Sequence, residues 1–208
     1  MALCSVALRP RTVAATQLRP HREVNKIMNE ELRSELLAMR EKDISTRAGL
    51  VEKGELSDNE YHPIMKAVHE ENNKRIKEII NETGWPLESE VGEEGAEAAW
   101  LLVQHAVLDP KFQEECIVLL KQAVEIGEAK AWYLAYLQDR VLIRQGKPQI
   151  YGTQHEVVNG CMKPLETENL EEVNKRRELL GIWSQEEHTA SLQKDYDNIQ
   201  INKAEHGS

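Results

Sequence analysis

The feature that most constrains the fold is a nearly uncharged helical stretch in the middle of the chain. Residues 93–108 are the least charged helical segment, yet they still carry Glu94, Gln104 and His105. A helix this apolar needs apolar neighbours on most of its sides, so it belongs inside a helical bundle. Polar groups on its buried side then need hydrogen-bond partners from other elements. We therefore expect a candidate site around this helix.

Composition and charge limit the classes of protein that this chain can represent. Its 208 residues are 40% apolar and 30% charged, which is typical of a single soluble domain. The net charge of -10 argues against a nucleic-acid partner, because phosphate contacts need clustered Lys and Arg. No apolar run approaches the roughly 18 residues of a membrane span. The cysteines Cys4, Cys116 and Cys161 share no ligand spacing and predict free thiols in a cytoplasmic protein.

The first 27 residues differ from the rest of the chain in charge. They hold five basic groups and one acid, which leaves 21 basic and 35 acidic groups in the remainder. An Arg-rich, acid-poor start is typical of an organelle transit peptide. Alternatively, the true start is Met28 and the preceding residues are translated leader. In both cases we expect residues 1–27 to be a poorly ordered basic leader outside the core.

Helix signals divide the remaining chain into segments. Apolar residues recur at helical spacing in seven of them, and Pro63 suits the first turn of the second. Asp109 and Pro110 separate the central third helix from the fourth. Ser184 and Glu187 form a capping box for the last.

A β-hairpin is expected after the fifth helix. Asn159-Gly160 lies between two extended runs and is a strong signal for a type I′ turn, which needs positive φ at both positions. We therefore predict a mainly α fold, a compact bundle of about seven helices with one β-hairpin after the fifth. The domain is expected to span residues 28–200, with the hairpin at 149–165 and a polar tail at 201–208.

The central helix carries the candidate catalytic residues. Glu94 and His105 fall on one stripe, while Trp100 and Gln104 fall on the neighbouring one. A carboxylate and an imidazole that face inward can transfer protons, and an amide can orient a ligand. The structural alternative is that Glu94 favours the helix N-terminus through the helix dipole, while His105 bonds a neighbouring carbonyl.

Two further histidines belong to the second helix. His62 and His69 are seven residues apart, or about 10 Å along the axis, which is too far for both to bind one metal. A metal site would need one of them together with His105 and a carboxylate that the sequence does not specify. Because no established metal-binding motif is present, we predict no metal and no cofactor.

Polar residues on the fifth helix and in the first hairpin arm complete the candidate set. Arg140, which follows Asp139, either lies on the helix surface or reaches into a pocket as an anion clamp. Tyr151, Thr153 and Gln154 flank a flexible glycine, and such a segment either forms the wall of a site or closes the end of the bundle.

Several of these runs, read in order, resemble a known family. The runs that carry the resemblance are VGEEGAEAAWLLVQHA, DPKFQ, YLAYLQDRV and YGTQ. With them, the chain resembles an uncharacterised, mostly bacterial domain family of unknown function from about Leu32 to Ile182. The resemblance implies a small cytoplasmic domain and no assigned activity. It also implies that the family's recurrent polar residues correspond here to His62, His69, Glu93, Gln104, His105, Asp109, Asp139, Arg140, Tyr151, Thr153 and Gln154. Val107-Leu108 stands where relatives commonly have Asp-His, which further lowers the expectation of a metal.

The leading functional hypothesis is a pocket for a small polar or anionic ligand. In it, His105 acts as hydrogen-bond donor or general base, Gln104 and Gln154 orient the ligand, and Arg140 offsets its charge. Whether the pocket also performs catalysis is left open. One alternative is a protein-protein interaction or homodimerisation module without catalysis, and another is a metal-dependent hydrolase.

Overall fold

The computed structural model describes residues 28–56 and 60–206, with side chains as far as Ile201. Within these ranges the chain forms seven helices and one two-stranded hairpin, so the predicted mainly α fold is confirmed. The elements are α1 (Glu30–Glu52), α2 (Pro63–Thr83), α3 (Glu88–His105), α4 (Pro110–Glu125), α5 (Ala131–Arg144), β1 (His155–Val158), β2 (Cys161–Pro164), α6 (Leu170–Leu179) and α7 (Gln185–His206). The predicted leader, residues 1–27, lies outside the described residues.

Helix α3 is the central element of the bundle. Every residue from Ala98 to Ala106 is buried, as the low charge of this segment predicts. Helices α1 and α2 pack against α3 and against each other, while α4 packs against both α3 and α5. Near its start α3 is kinked at Gly92, whose φ of 69° favours glycine. The kink lies where α1 approaches closely, since a Cβ at this position would meet Arg33 and Met28.

Local capping chemistry sets the helix boundaries. Pro63 and Pro110 occupy the first turns of α2 and α4, where a backbone N–H is not needed. The Asp109 side chain caps α4 by accepting a hydrogen bond from Phe112 N at 3.1 Å. The predicted capping box of α7 forms in both directions, with Ser184 and Glu187 exchanging hydrogen bonds of 3.0 and 3.1 Å.

The hairpin follows α5, and its turn has the predicted conformation. Asn159 and Gly160 both have positive φ, of 51° and 78°, as a type I′ turn requires. The strands pair antiparallel from His155↔Pro164 to Val158↔Cys161. They are shorter than the predicted 149–165 hairpin, because residues 150–154 form a loop before β1 rather than part of its arm.

The last helix packs against the hairpin and extends further than expected. Gln193 on α7 accepts a hydrogen bond from Met162 N in β2 at 2.6 Å. Helix α7 continues to His206, so the part of the predicted tail that is described is helical; residues 207–208 lie outside the described residues. None of the helices in the described part of the chain combines the length and apolarity needed to cross a membrane.

Candidate functional site

Two consecutive residues near the end of α3 enter two different polar clusters. Gln104 and His105 are 3% and 5% exposed, so both point into the bundle. Successive residues of an α-helix point about 100° apart, and these two therefore meet different neighbours. His105 faces α1 and α2, whereas Gln104 faces α5.

The first cluster, called here the Asp43 cluster, consists of Asp43, Tyr61, His69 and His105. Asp43 on α1 is 1% exposed, and its Oδ2 atom lies 2.8 Å from Nδ1 of His105. The same oxygen lies 3.1 Å from Nε2 of His69, without forming an aligned hydrogen bond. The Tyr61 hydroxyl contacts the other ring nitrogen of His69, Nδ1. Three helices and one loop thus bring four polar side chains together around a single carboxylate.

The electrostatics of this cluster favour a charged carboxylate. Burial alone would raise the pKa of Asp43, but the adjacent His105 and His69 imidazoles outweigh burial and hold the pKa well below its usual range. Asp43 is therefore ionised at neutral pH. Its second oxygen, Oδ1, is buried and has no hydrogen-bond partner among the described residues. A buried carboxylate oxygen without a partner is unfavourable and needs an explanation.

The second cluster, called here the Arg140 pocket, is a small, partly open cavity of about 20 Å³. Its lining combines side chains from α5, the loop before β1, the hairpin and α7: Tyr136, Arg140, Thr153, Gln154, His155, Met162, His188 and Leu192. Arg140 also donates from Nε to Oε1 of Gln104 at 2.7 Å. The pocket is in this way connected to the central helix.

Two buried charged residues hold the loop that forms one wall of the pocket. The Asp139 carboxylate accepts hydrogen bonds from three backbone N–H groups, those of Ile150, Tyr151 and Thr153, at 2.8 to 3.2 Å. Burial raises the pKa of Asp139 even though these three donors act in the opposite direction. Arg177 on α6 donates to the carbonyl oxygens of Tyr151 and Gly152 at 2.6 and 3.3 Å. The loop backbone is therefore fixed from both sides.

The histidines of the Arg140 pocket are neutral at physiological pH. Burial lowers the pKa of His155 to about 4 and that of His188 to about 3, and the charge of Arg177 acts in the same direction. The two rings lie 5.0 Å apart. His155 contacts the Thr189 hydroxyl at 2.8 Å through Nε2, while Nδ1 of His188 is buried without a partner among the described residues. His188, which lines the pocket, therefore carries one ring nitrogen whose hydrogen-bonding capacity is unused among the described residues.

The family comparison agrees with the motifs. A family of unknown function (DUF6624) matches the chain over residues 30–201. The chain belongs to this family. No curated protein and no solved structure gives a significant match. The family assignment confirms the resemblance seen in the sequence and assigns no activity.

Some residues predicted for the site lie together, and others lie apart. Arg140, Thr153 and Gln154 line the Arg140 pocket, with Gln104 bonded to Arg140. His69 and His105 lie together in the Asp43 cluster.

Three predicted residues lie outside both clusters. The Glu94 side chain is 60% exposed and pairs with Arg33 at 2.7 Å. His62 caps the N-terminus of α2. Trp100 is buried, stacks on Tyr133 at 4.9 Å and donates from its indole nitrogen to the Tyr133 carbonyl at 3.0 Å. These contacts are structural.

Two other predicted residues support the pocket instead of lining it. Asp139 acts through the backbone of the loop, and Tyr151 contributes its backbone groups to Asp139 and Arg177. Of the two roles expected for this loop, a site wall or a closure of the bundle, it takes the first, since Thr153 and Gln154 form one wall of this pocket.

Sequence reasoning missed several of the clustered residues. One usable signal was present for Asp43, because Leu36, Asp43 and Leu50 are spaced by seven and are the buried residues of α1. An acid at the middle position of such a buried line predicts an internal partner. No comparable signal pairs His155 with His188, since the two are 33 residues apart on a strand and a helix.

Proposed function

We propose that this domain binds a small anionic ligand, or the anionic end of a larger polar molecule, in the Arg140 pocket. The observation that carries the proposal is the convergence of one guanidinium, a hydroxyl, an amide and two neutral imidazoles on one partly open cavity. A few convergent polar groups in a concave site are typical of ligand pockets. Because His105 does not line this cavity, the proposal assigns ligand binding to Arg140, Thr153 and Gln154 instead.

The charges around the pocket support an anion. The guanidinium groups of Arg140 and Arg177 lie next to the loop of residues 150–154. The Asp139 carboxylate binds the backbone of the same loop. Arginine in a buried setting suits carboxylate and phosphate oxygens because its N–H donors are fixed in one plane. Burial, and to a smaller extent the charge of Arg177, lowers the pKa of His155 and His188, so both rings stay neutral and can offer an N–H to a ligand oxygen.

The size of the pocket limits how a ligand binds. A cavity of about 20 Å³ holds roughly one water molecule, since one water needs about 10–15 Å³ of this measure. A single carboxylate or phosphoryl oxygen therefore fits inside, and the rest of the ligand would extend through the open side. The interior donor would be the Arg140 guanidinium. The Thr153 hydroxyl accepts a hydrogen bond from Gln154 Nε2 and also bonds Asp139, so it would turn from Asp139 toward the ligand on binding.

The test is a titration of the ¹⁵N-labelled full chain with inorganic phosphate and, separately, acetate, with sodium chloride as the ionic-strength control. We expect saturable shifts of the backbone amides of Thr153, Gln154 and His155. Thr153→Val replaces the hydroxyl by a methyl of the same shape and keeps the N–H that Asp139 binds. It also removes the contacts of the hydroxyl with Asp139 and Gln154, so unchanged amide shifts of Ile150 and Tyr151 in the free variant are the check that the loop is intact. Loss of a hydrogen bond to a charged ligand weakens binding by roughly 10- to 100-fold.

Thr167→Val is the matched control, because the Thr167 hydroxyl bonds only the Leu165 carbonyl and does not line the pocket. It should bind the probes as the unmodified chain does. Equal affinity of Thr153→Val and the unmodified chain would refute the proposal. Shifts that spread over exposed lysines and do not saturate would refute it as well.

An exposed apolar strip on the first or last helix would favour the interaction-module hypothesis. Within the described side chains, α1 has no exposed large hydrophobic residue and α7 has only Ile201, at 55% exposure. A single apolar residue is normal on a protein surface. We therefore keep ligand binding as the proposed function.

A further inference from the structure

We propose that Asp43, His69 and His105 bind one divalent transition-metal ion of the zinc class, each through one side-chain atom. The candidate ligand atoms of these three residues all lie within 4.8 Å of one another. Each residue comes from a different helix, namely α1, α2 and α3, and each is at least nine-tenths buried. This inference goes beyond the proposed anion binding and depends on a different set of residues.

Two of the three ligand-to-ligand distances, those that involve Asp43, are close to those of a coordination sphere, and the third pair of ligand atoms lies within 4.8 Å. Ligand atoms 2.0–2.2 Å from a tetrahedral metal lie roughly 3.3–3.5 Å from one another. Here Asp43 Oδ2 lies 2.8 Å from His105 Nδ1 and 3.1 Å from His69 Nε2. An outward shift of about half an ångström at each contact would bring these atoms to metal-ligand spacing.

Hydrogen bonding alone leaves polar atoms of this cluster unsatisfied. Asp43 Oδ1 is buried without a partner among the described residues, and His69 Nε2 approaches the carboxylate without an aligned hydrogen bond. An unsatisfied buried polar atom is unfavourable, and more so when the group is charged. A cation bound by these side chains would accept the lone pair of His69 Nε2 and would lie against the Asp43 carboxylate. It would also balance the buried negative charge of Asp43.

The surroundings of His69 fit a metal ligand. In metal sites the ring nitrogen that does not bind the metal usually contacts a polar partner, which fixes the orientation of the ring. Tyr61 provides this contact through its hydroxyl group on Nδ1, leaving Nε2 directed at Asp43. Tyr61 is therefore the candidate positioning residue, and the metal ligands are Asp43, His69 and His105.

The ligand types select the class of metal. Two imidazoles and one carboxylate suit zinc, iron, cobalt or nickel, whereas calcium and magnesium prefer oxygen ligands alone. Three protein ligands leave a fourth position for water or a substrate oxygen, which is the arrangement of a catalytic site and not of a closed structural site. In the sequence, a metal site with His69 and His105 lacked a specified carboxylate ligand. Asp43 is the carboxylate proposed for that position.

The test is calorimetric titration of the full chain, prepared without a histidine tag and stripped with a chelator, with Zn²⁺ and with Co²⁺. We expect one metal per chain with a micromolar or lower Kd, and a visible Co²⁺ absorption spectrum typical of four or five ligands. Zinc at 100 times its Kd should raise the Tm by about 5–10 °C. A result of no binding would overturn the proposal.

Variants separate this site from adventitious metal binding. Asp43→Asn and His69→Gln should each weaken binding at least 100-fold, because each removes one ligand. His69→Gln keeps the contact between Asp43 and His105, so it tests the site even if Asp43→Asn does not fold. His62→Asn, at the partly exposed N-cap of the same helix, should bind as the unmodified chain does. Unchanged affinity in folded His69→Gln, or an equal loss in His62→Asn, would contradict the assignment.

Discussion

The buried histidines of the Arg140 pocket should make the fold sensitive to mild acid. An unfolded histidine has a pKa of about 6.5, whereas the folded values are about 4 for His155 and about 3 for His188. Between pH 6.5 and pH 4 the unfolded chain therefore binds more protons than the folded chain, and stability must fall as the pH falls. Above pH 6.5 both states are neutral at these positions, and the effect disappears.

The magnitude follows from the same values. At pH 5 nearly all unfolded molecules carry a proton on each of these rings, while the folded molecules do not. Each histidine then reduces the free energy of unfolding by about 2 kcal/mol relative to pH 8. The low pKa of Asp43 also contributes to the free energy of unfolding. This contribution is lost only at still lower pH, so it stays constant between pH 8 and pH 5.

The assay is urea unfolding followed by circular dichroism at pH 8, 7, 6 and 5 in buffer with a chelator. His188→Gln replaces the ring by an amide that does not titrate, and it should lose about 2 kcal/mol less than the unmodified chain between pH 8 and pH 5. Comparing the two chains cancels the contributions of other groups, including the raised carboxyl pKa of Asp139. Equal losses in the two chains would refute the reasoning.

Three further predictions follow from individual contacts. Asp139→Asn should lower the free energy of unfolding by about 2–4 kcal/mol in urea, because the charged acceptor of three backbone N–H groups is lost; an effect below about 0.5 kcal/mol would contradict this role. Gly152→Ala should lower the free energy of unfolding by at least about 1 kcal/mol more than Gly146→Ala does. Both glycines have positive φ, but only at Gly152 would the added Cβ lie 2.2 Å from Gln185 Nε2; equal losses of stability would contradict this prediction. The Cys116 thiol, whose pKa burial raises to about 12, should stay unmodified when the native protein is treated with iodoacetamide and analysed by peptide mass spectrometry.

Features that depend on neighbouring residues in the chain could be predicted. Pro63, Pro110 and Asn159-Gly160 act through their own backbone geometry, so the starts of α2 and α4 and the turn of the hairpin follow without tertiary information. The low charge of the central segment likewise predicted the burial of Gln104 and His105. Such signals are local, and the fold class follows from their order.

The grouping of the site could be predicted only in part. Helical spacing indicates which face a residue occupies, but it does not indicate which distant residue it meets. Asp43 and His105 are separated by 62 positions, and no motif joins them. Glu94 was predicted to share the inward stripe of His105, but it lies in the first turn after Gly92, where its side chain pairs with Arg33 and remains at the surface.

The most direct test of ligand binding in the Arg140 pocket is a crystal structure of the full chain soaked in selenate, whose anomalous scattering locates the anion. The account predicts an anion oxygen within 2.7–3.2 Å of the Arg140 guanidinium or the Thr153 hydroxyl, in the cavity that His188 also lines. Selenate bound only to exposed lysines, with the cavity closed by side chains, would contradict it.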